Sequence, residues 1–160
     1  MNEIFNMLIE EVKKILKLDV SNDKKLQLVC NLLRNSVPHY NWVGFYLVDK
    51  NKPEELVLAT FDGEPTEHVR IPFGRGICGQ AAEQEKTFIV QDVTRENNYL
   101  ACSARVKSEI VVPIFRNKKL VGEIDIDSHK LAPFTENDKI FLEKIAEIIA
   151  EVIEKRHRRL

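Results

Sequence analysis

The sequence predicts an α+β fold. Two amphipathic helices, three strands, a short crossover helix, further strands and a closing helix succeed one another without the regular strand–helix alternation of a doubly wound sheet. The links at residues 49–54 and 116–119 have hairpin length, which joins antiparallel and not parallel neighbours. At 160 residues, with 44% hydrophobic and 31% charged side chains, the chain suits one domain, expected to run over residues 1–160 without repeat or linker.

Ile4, Phe5, Leu8, Ile9, Val12, Ile15 and Leu16 recur at helical spacing and mark the first helix. Ser21-Asn22-Asp23 offers an N-cap to a second, whose stripe is Leu26, Val29, Cys30, Leu33 and Val37 before Pro38 ends it. Residues 42–48 turn aromatic and β-branched and predict a strand; 56–61 and 68–71 predict a second and a short third. A short helix over 77–85 and a brief strand over 87–90 follow, then a loop with a helical turn over 94–107. Strands over 109–115 and 120–127 precede the last helix, which Thr135 and Asp138 open as a capping box. Its basic end, residues 155–159, complements the helix dipole.

Composition excludes several classes. Six Gly and six Pro rule out collagen and low-complexity chains. A net charge of −1 gives no electrostatic case for nucleic acid, and no apolar run nears the roughly 20 residues of a membrane span. The acidic, amphipathic start is unlike a signal peptide, and three widely spaced cysteines read as thiols of the cytoplasm, not as a disulfide framework.

Residues 74–79, Gly-Arg-Gly-Ile-Cys-Gly, fit the dinucleotide pattern G-x-G-x-x-G, but the preceding segment is short and broken by Pro72. The glycines are read instead as a tight turn presenting a short helix, with Cys78 in its first turn, where N–H groups favour a thiolate. Cys30, on an apolar stripe, is read as inert core. Cys102 has Arg105 and Lys107 close behind and is either a reactive thiolate or a buried loop cysteine. The spacing of Cys78, Cys102 and His68 implies no four-ligand zinc site, so no metal or cofactor is expected.

Residues 119–127 alternate: Leu120, Ile124 and Ile126 are assigned to one face, Glu123, Asp125 and Asp127 to the other. That acidic face is either solvated or a site for an amine or other cationic ligand. Glu109 joins it opposite Asp125 if the hairpin loop has three residues, and meets Ile126 if it has two. Trp42 and Tyr46 share one strand face, as core or as the wall of an apolar pocket.

Five blocks, Asn-Trp-Val-Gly-Phe-Tyr at 41–46, Val-Arg-Ile-Pro-Phe-Gly-Arg-Gly-Ile-Cys-Gly at 69–79, Leu-Ala-Cys at 100–102, Ser-Glu-Ile-Val-Val-Pro at 108–113 and Ile-Asp-Ile-Asp-Ser at 124–128, resemble in order the free methionine-R-sulfoxide reductase family, small stand-alone GAF-domain enzymes. The resemblance implies a GAF fold, a central antiparallel sheet of about six strands flanked by N- and C-terminal helices. It implies reduction of free L-methionine (R)-sulfoxide, with Cys102 as the catalytic cysteine that becomes a sulfenic acid and Cys78 as the resolving cysteine. Thioredoxin or a small thiol would then reduce the disulfide. Glu109, Asp125 and Asp127 match the acids that bind the amino group and the sulfoxide, and Trp42 and Tyr46 the wall around the methyl group. Crowded acids keep one of their number protonated, able to donate to the sulfoxide oxygen and ease its loss as water.

The chain departs from the family at His68, where a third cysteine is common, and carries four extra residues near 51–55. Two other readings stand beside the enzyme: a GAF module that binds a small ligand without turnover, and an interaction module whose first and last helices form a homodimer face.

Overall fold

A computed structural model describes residues 2–101 and 103–158, with side chains through residue 155. Cys102 thus lies outside the described residues. Helices α1 (Glu3–Leu16) and α2 (Asn22–Ser36) lead into strands β1 (Trp42–Val48), β2 (Glu55–Asp62) and β3 (Arg70–Pro72); helix α3 (Gly76–Gln84) and strand β4 (Phe88–Val90) follow. A 3-10 turn at Val93–Arg95 precedes β5 (Ser108–Arg116), β6 (Lys119–Ser128) and helix α4 (Glu136–Arg158). The six strands form one sheet in the order β3-β2-β1-β6-β5-β4, antiparallel throughout. This is the α+β arrangement that the hairpin links predict. No helix among the described residues is long and apolar enough to cross a membrane.

Helices α1, α2 and α4 begin where short polar side chains satisfy otherwise orphaned N–H groups. Asn2 Oδ1 accepts from Phe5 N at 2.9 Å, and Ser21 Oγ from Lys24 N at 3.1 Å. At α4 the expected capping box is present: Thr135 N donates to Asp138 Oδ2 at 2.8 Å, and Asp138 N to Thr135 Oγ1 at 3.4 Å. Asp138 does more than cap. Its Oδ1 also accepts from Tyr40 Oη at 2.7 Å and from His39 Nε2 at 2.8 Å, tying the α2–β1 connection to the start of α4.

Both faces of the sheet are covered, so β1 is buried at all seven positions. On one face α1, α2 and α4 pack Phe5, Leu26, Leu33, Phe141 and Ile149 against Val43, Phe45, Ile110, Ile124 and Ile126. Phe5 and Phe141 stack with centroids 4.2 Å apart, and Cys30 sits in this layer, fully buried, its Sγ 3.5 Å from Thr60 Oγ1. Burial pushes the Cys30 thiol up to about 12, which agrees with inert core. On the other face α3 packs Ile77, Cys78 and Ala81 over Trp42, Tyr46 and Val111.

The β5–β6 hairpin corrects both sequence-based registers. Its loop has two residues, Asn117 and Lys118, each left-handed with φ of 52° and 65°. Such a loop alone would set Glu109 against Ile126. A bulge intervenes, because Phe115 pairs with Leu120 whereas Ile114 pairs with Gly122, leaving Val121 as the extra residue. Glu109 therefore lies opposite Asp127, not Asp125 or Ile126. The bulge also moves Leu120 to the α3 side of the sheet, whereas Ile124 and Ile126 remain on the helix-packed side.

Burial opposes ionisation of Asp138, but hydrogen bonds from His39, the Thr135 amide and Tyr40 outweigh it and hold the carboxyl below the usual Asp range. Its contribution is therefore fully present above the unfolded-state value and is lost as pH falls through the lower folded value. Asp138→Asn should lower stability at pH 7 by roughly 2 kcal/mol and flatten the loss on acidification from pH 5 to 3. Urea denaturation across that range checks it; equal slopes for both proteins would contradict the assignment.

A buried acidic face as candidate active site

Cross-strand pairs share a face of the sheet, and so do residues two apart along a strand. Trp42, Asp127 and Glu109 make one row across β1, β6 and β5; Gly44, Asp125 and Val111 make the next, and Tyr46, Glu123 and Pro113 the third. The face thus gathers five of the residues expected in a site, Trp42, Tyr46, Glu109, Asp125 and Asp127. Cys78 on α3 packs onto it as a sixth. Glu123 was recognised on this face from the strand alternation, but its place within the site follows only from the register.

The acidic face is not solvated. Glu123 is 0% exposed, Asp127 4%, Asp125 5% and Glu109 6%. Burial raises the carboxyls of Glu123, Asp125 and Asp127 above the usual range, and the Asp125 charge raises Glu123 and Asp127 further. Glu109 interacts with both Asp125 and Asp127 and pulls their carboxyls part of the way back down against burial. The crowding that sequence suggested is therefore real, and it disfavours ionisation of these acids.

Cys78 departs from its expected thiolate character. It is the third residue of α3, but burial, then the charges of Asp125, Glu123, Glu109 and Asp127, push its thiol well up. Four acids and desolvation outweigh the helix start, and the thiol stays protonated, with Sγ 3.9 Å from Glu109 Oε2.

The glycine motif shapes the turn before α3, as expected. Gly74 and Gly76 have φ of 89° and 65°, and a Cβ on Gly76 would lie 2.9 Å from Leu100 Cγ. Asn98 takes up the amide at the start of α3: its Oδ1 accepts from Gly76 N at 2.8 Å and its Nδ2 donates to Gly74 O at 2.7 Å. The same contacts fasten the segment after the 3-10 turn over the site. There Leu100 lies beside Gly76, and Tyr46 Oη donates to His68 O at 2.7 Å while His68 Nε2 donates to Ala101 O at 3.0 Å. His68, weighed from the sequence as a third zinc ligand and as a departure from the family pattern, holds through Ala101 the chain neighbour of Cys102.

Trp42 closes the other end. Its indole stacks on Phe61 at 5.6 Å, donates from Nε1 to Glu64 O at 2.9 Å, and lies across Gly44, where a Cβ would come within 2.4 Å of the ring. No sequence pattern distinguished Gly44; its role depends on the ring it seats.

Between these covers lie two small cavities of about 20 Å³ each. One is lined by Tyr46, His68, Cys78, Leu100, Glu109 and Asp125, the other by Trp42, Glu64, Ser103, Val106, Asp127 and His129. Each has room for about one water. A larger concavity, about 530 Å³ between α4 and β5, is an open groove lined by residues such as Lys86, Thr87, Phe115, Lys139 and Glu143 and contains none of the site acids or cysteines.

Residues 23–154 match the GAF domain family. The chain is 47% identical over 111 residues to GAF domain-containing protein A of Dictyostelium discoideum, covering 69% of this chain and 68% of that one. It is 39% identical over 139 residues to the free methionine-R-sulfoxide reductase of Saccharomyces cerevisiae, covering 80% and 77%. Among solved structures, free methionine-R-sulfoxide reductase from Neisseria meningitidis, in complex with its substrate, superposes with a TM-score of 0.88 at 34% identity, over 100% of this chain and 95% of that one.

Gly44→Ala should displace the indole; because Trp42 is the sole tryptophan, its emission should shift to the red, and an unchanged spectrum would contradict the seat described. Cys78 should alkylate at least ~10-fold more slowly in the native reduced protein at pH 7 than after unfolding, read by peptide mapping. Equal rates would show that the thiol is neither shielded nor held protonated.

Proposed function

The chain belongs to the GAF domain family and, within it, to the free methionine-R-sulfoxide reductase family, and on that premise we propose that it reduces free L-methionine (R)-sulfoxide with thiols as the electron source. The observation that carries the proposal is the buried acidic face bounded by Trp42 and Tyr46. An ammonium group entering it offsets the crowded carboxyls, and the aromatic wall takes the methyl end of the same small molecule.

In this reading the Cys102 thiolate attacks the sulfoxide sulfur. One of the protonated acids, among Glu109, Asp125 and Asp127, donates to the sulfoxide oxygen as the sulfur–oxygen bond breaks. The net step turns Cys102 thiol plus sulfoxide into Cys102 sulfenic acid plus methionine; the cysteine loses two electrons and the sulfoxide sulfur gains them. The Cys78 thiol then condenses with the sulfenic acid, forming the sulfur–sulfur bond and releasing water, with Glu109 beside it to take the thiol proton. A dithiol such as thioredoxin, or two small thiols, returns both cysteines to the reduced state and is itself oxidised to a disulfide.

The same reading places the protein in the cytoplasm, where such donors stay reduced, takes residues 1–160 as one catalytic domain and requires no cofactor. It also pairs two copies as a homodimer; Ile4 and Met7 on α1 and Ile140 on α4, 58%, 68% and 44% exposed, supply apolar surface for that contact.

A second reading, a binding module without turnover, draws on the protonated, buried Cys78 and on His68. Incubation with racemic free methionine sulfoxide and dithiothreitol separates the two. The enzyme should consume the R epimer alone, and Cys102→Ser should lose at least ~10³-fold in rate. Cys78→Ser should keep its rate with dithiothreitol and fall at least ~10-fold with thioredoxin. Tight binding without turnover under every reductant would overturn the reductase in favour of the module. Asp125→Asn should lower kcat/KM by about 10²-fold; an unchanged value would remove this acid from the site.

A further inference from the structure

The buried face also assembles a ligand set that the sequence spacing did not foreshadow. Cys78 Sγ and one carboxylate oxygen each from Glu109 and Asp125 lie within 4.8 Å of one another, the thiol and Glu109 being 3.9 Å apart. Zinc–sulfur bonds of about 2.3 Å and zinc–oxygen bonds of about 2.1 Å separate tetrahedral ligands by roughly 3.5 Å. A contraction of about 1 Å, within the reach of side-chain torsions, brings the three onto one ion.

A second, independent observation points the same way. Neither carboxylate oxygen of Glu123, a residue with no exposed surface, meets a hydrogen-bond partner among the described residues, and nor does Asp125 Oδ1. Buried carboxyl oxygens are normally satisfied, and those that are not call for an explanation. Glu123 is two residues from Asp125 on the same face of β6, and its charge acts on the Cys78 thiol. A cation at this point would satisfy the orphaned oxygens and offset the mutual repulsion of the acids in one step.

We propose that the reduced protein binds one divalent metal ion of the zinc class on Cys78 Sγ, Glu109 and Asp125, with Glu123 as the fourth ligand. The donor set selects the ion: a thiolate among carboxylates suits borderline-soft zinc and disfavours magnesium and calcium, which take oxygen alone. On binding, the Cys78 thiol loses its proton to solvent and its sulfur bonds the metal, with no change of oxidation state. Glu109 and Asp125 are also the acids given above to the substrate, so metal and methionine sulfoxide exclude each other; this last clause alone rests on the reductase reading.

Titration of the full, reduced chain with zinc chloride, followed by calorimetry, should give one ion per chain. Cobalt(II) in its place should develop a thiolate-to-metal charge-transfer band. Cys78→Ser should abolish that band and weaken zinc binding at least ~10-fold, and Glu109→Gln and Glu123→Gln should weaken it about 10-fold. Cys102→Ser should bind as the parent does. Absence of stoichiometric binding, a band that survives Cys78→Ser, or a band lost in Cys102→Ser would each overturn the site. Zinc binding by a protein without reductase activity would leave the metal site standing and remove the reductase; activity without zinc binding would do the reverse.

Discussion

Pairing between β5 and β6 is the constraint from which the rest of the structure follows. Two left-handed residues turn the hairpin, and Val121, inserted opposite no partner, advances the strand by one position. Opposed residues project to the same side, so this single insertion decides which layer receives each carboxyl. Without it Glu109 would share its level with Ile126, which is packed against α1, α2 and α4. With it, Glu109 meets Asp127 and a row of acids forms under α3. Gly122 accommodates the same bend, since a Cβ there would come within 2.6 Å of the Tyr46 carbonyl.

Gathering four acids between strand and helix is unfavourable in isolation, and the larger apolar layer on the opposite side of the sheet sustains it. Fully burying one Leu, Ile or Phe stabilises by about 1.5–3 kcal/mol, and that layer contains many such residues. Burial makes each of these carboxyls harder to ionise than it would be in water, and a cation placed among them would lower that cost. The protonated Cys78 belongs to the same balance: its proton is kept by the neighbours that would receive a positively charged guest.

Much of this was legible before any coordinates. Helix periods and the Thr135–Asp138 box follow from local rules, and the tertiary bonds from His39 and Tyr40 to Asp138 use its other oxygen and leave the box intact. The alternation of residues 119–127 separated the acids from Ile124 and Ile126, but it misplaced Leu120, because a bulge breaks the period of two. The register of Glu109 was equally hidden, since loop length alone does not reveal an inserted residue. Cys78 was read from its helix, whereas its proton affinity is set by residues 31 to 49 positions away that only the fold brings near. Gly44 and His68 carried no local signature. One acts by seating an indole and the other through a backbone carbonyl, and both contacts exist only in three dimensions.

The two cavities are each about the size of a single water, far smaller than any amino acid. Their covers are fastened by the Tyr46–His68–Ala101 bonds and by Asn98. A guest larger than a water fits here only as these covers part, and where the parted form is the less populated one the apparent affinity is the intrinsic affinity multiplied by the fraction of molecules open at any moment. Arrival rates then report the frequency of opening as well as diffusion. Two relatives with identical acids but a looser cover would differ in how readily they take up the same guest, with no change in what they contact once it is inside.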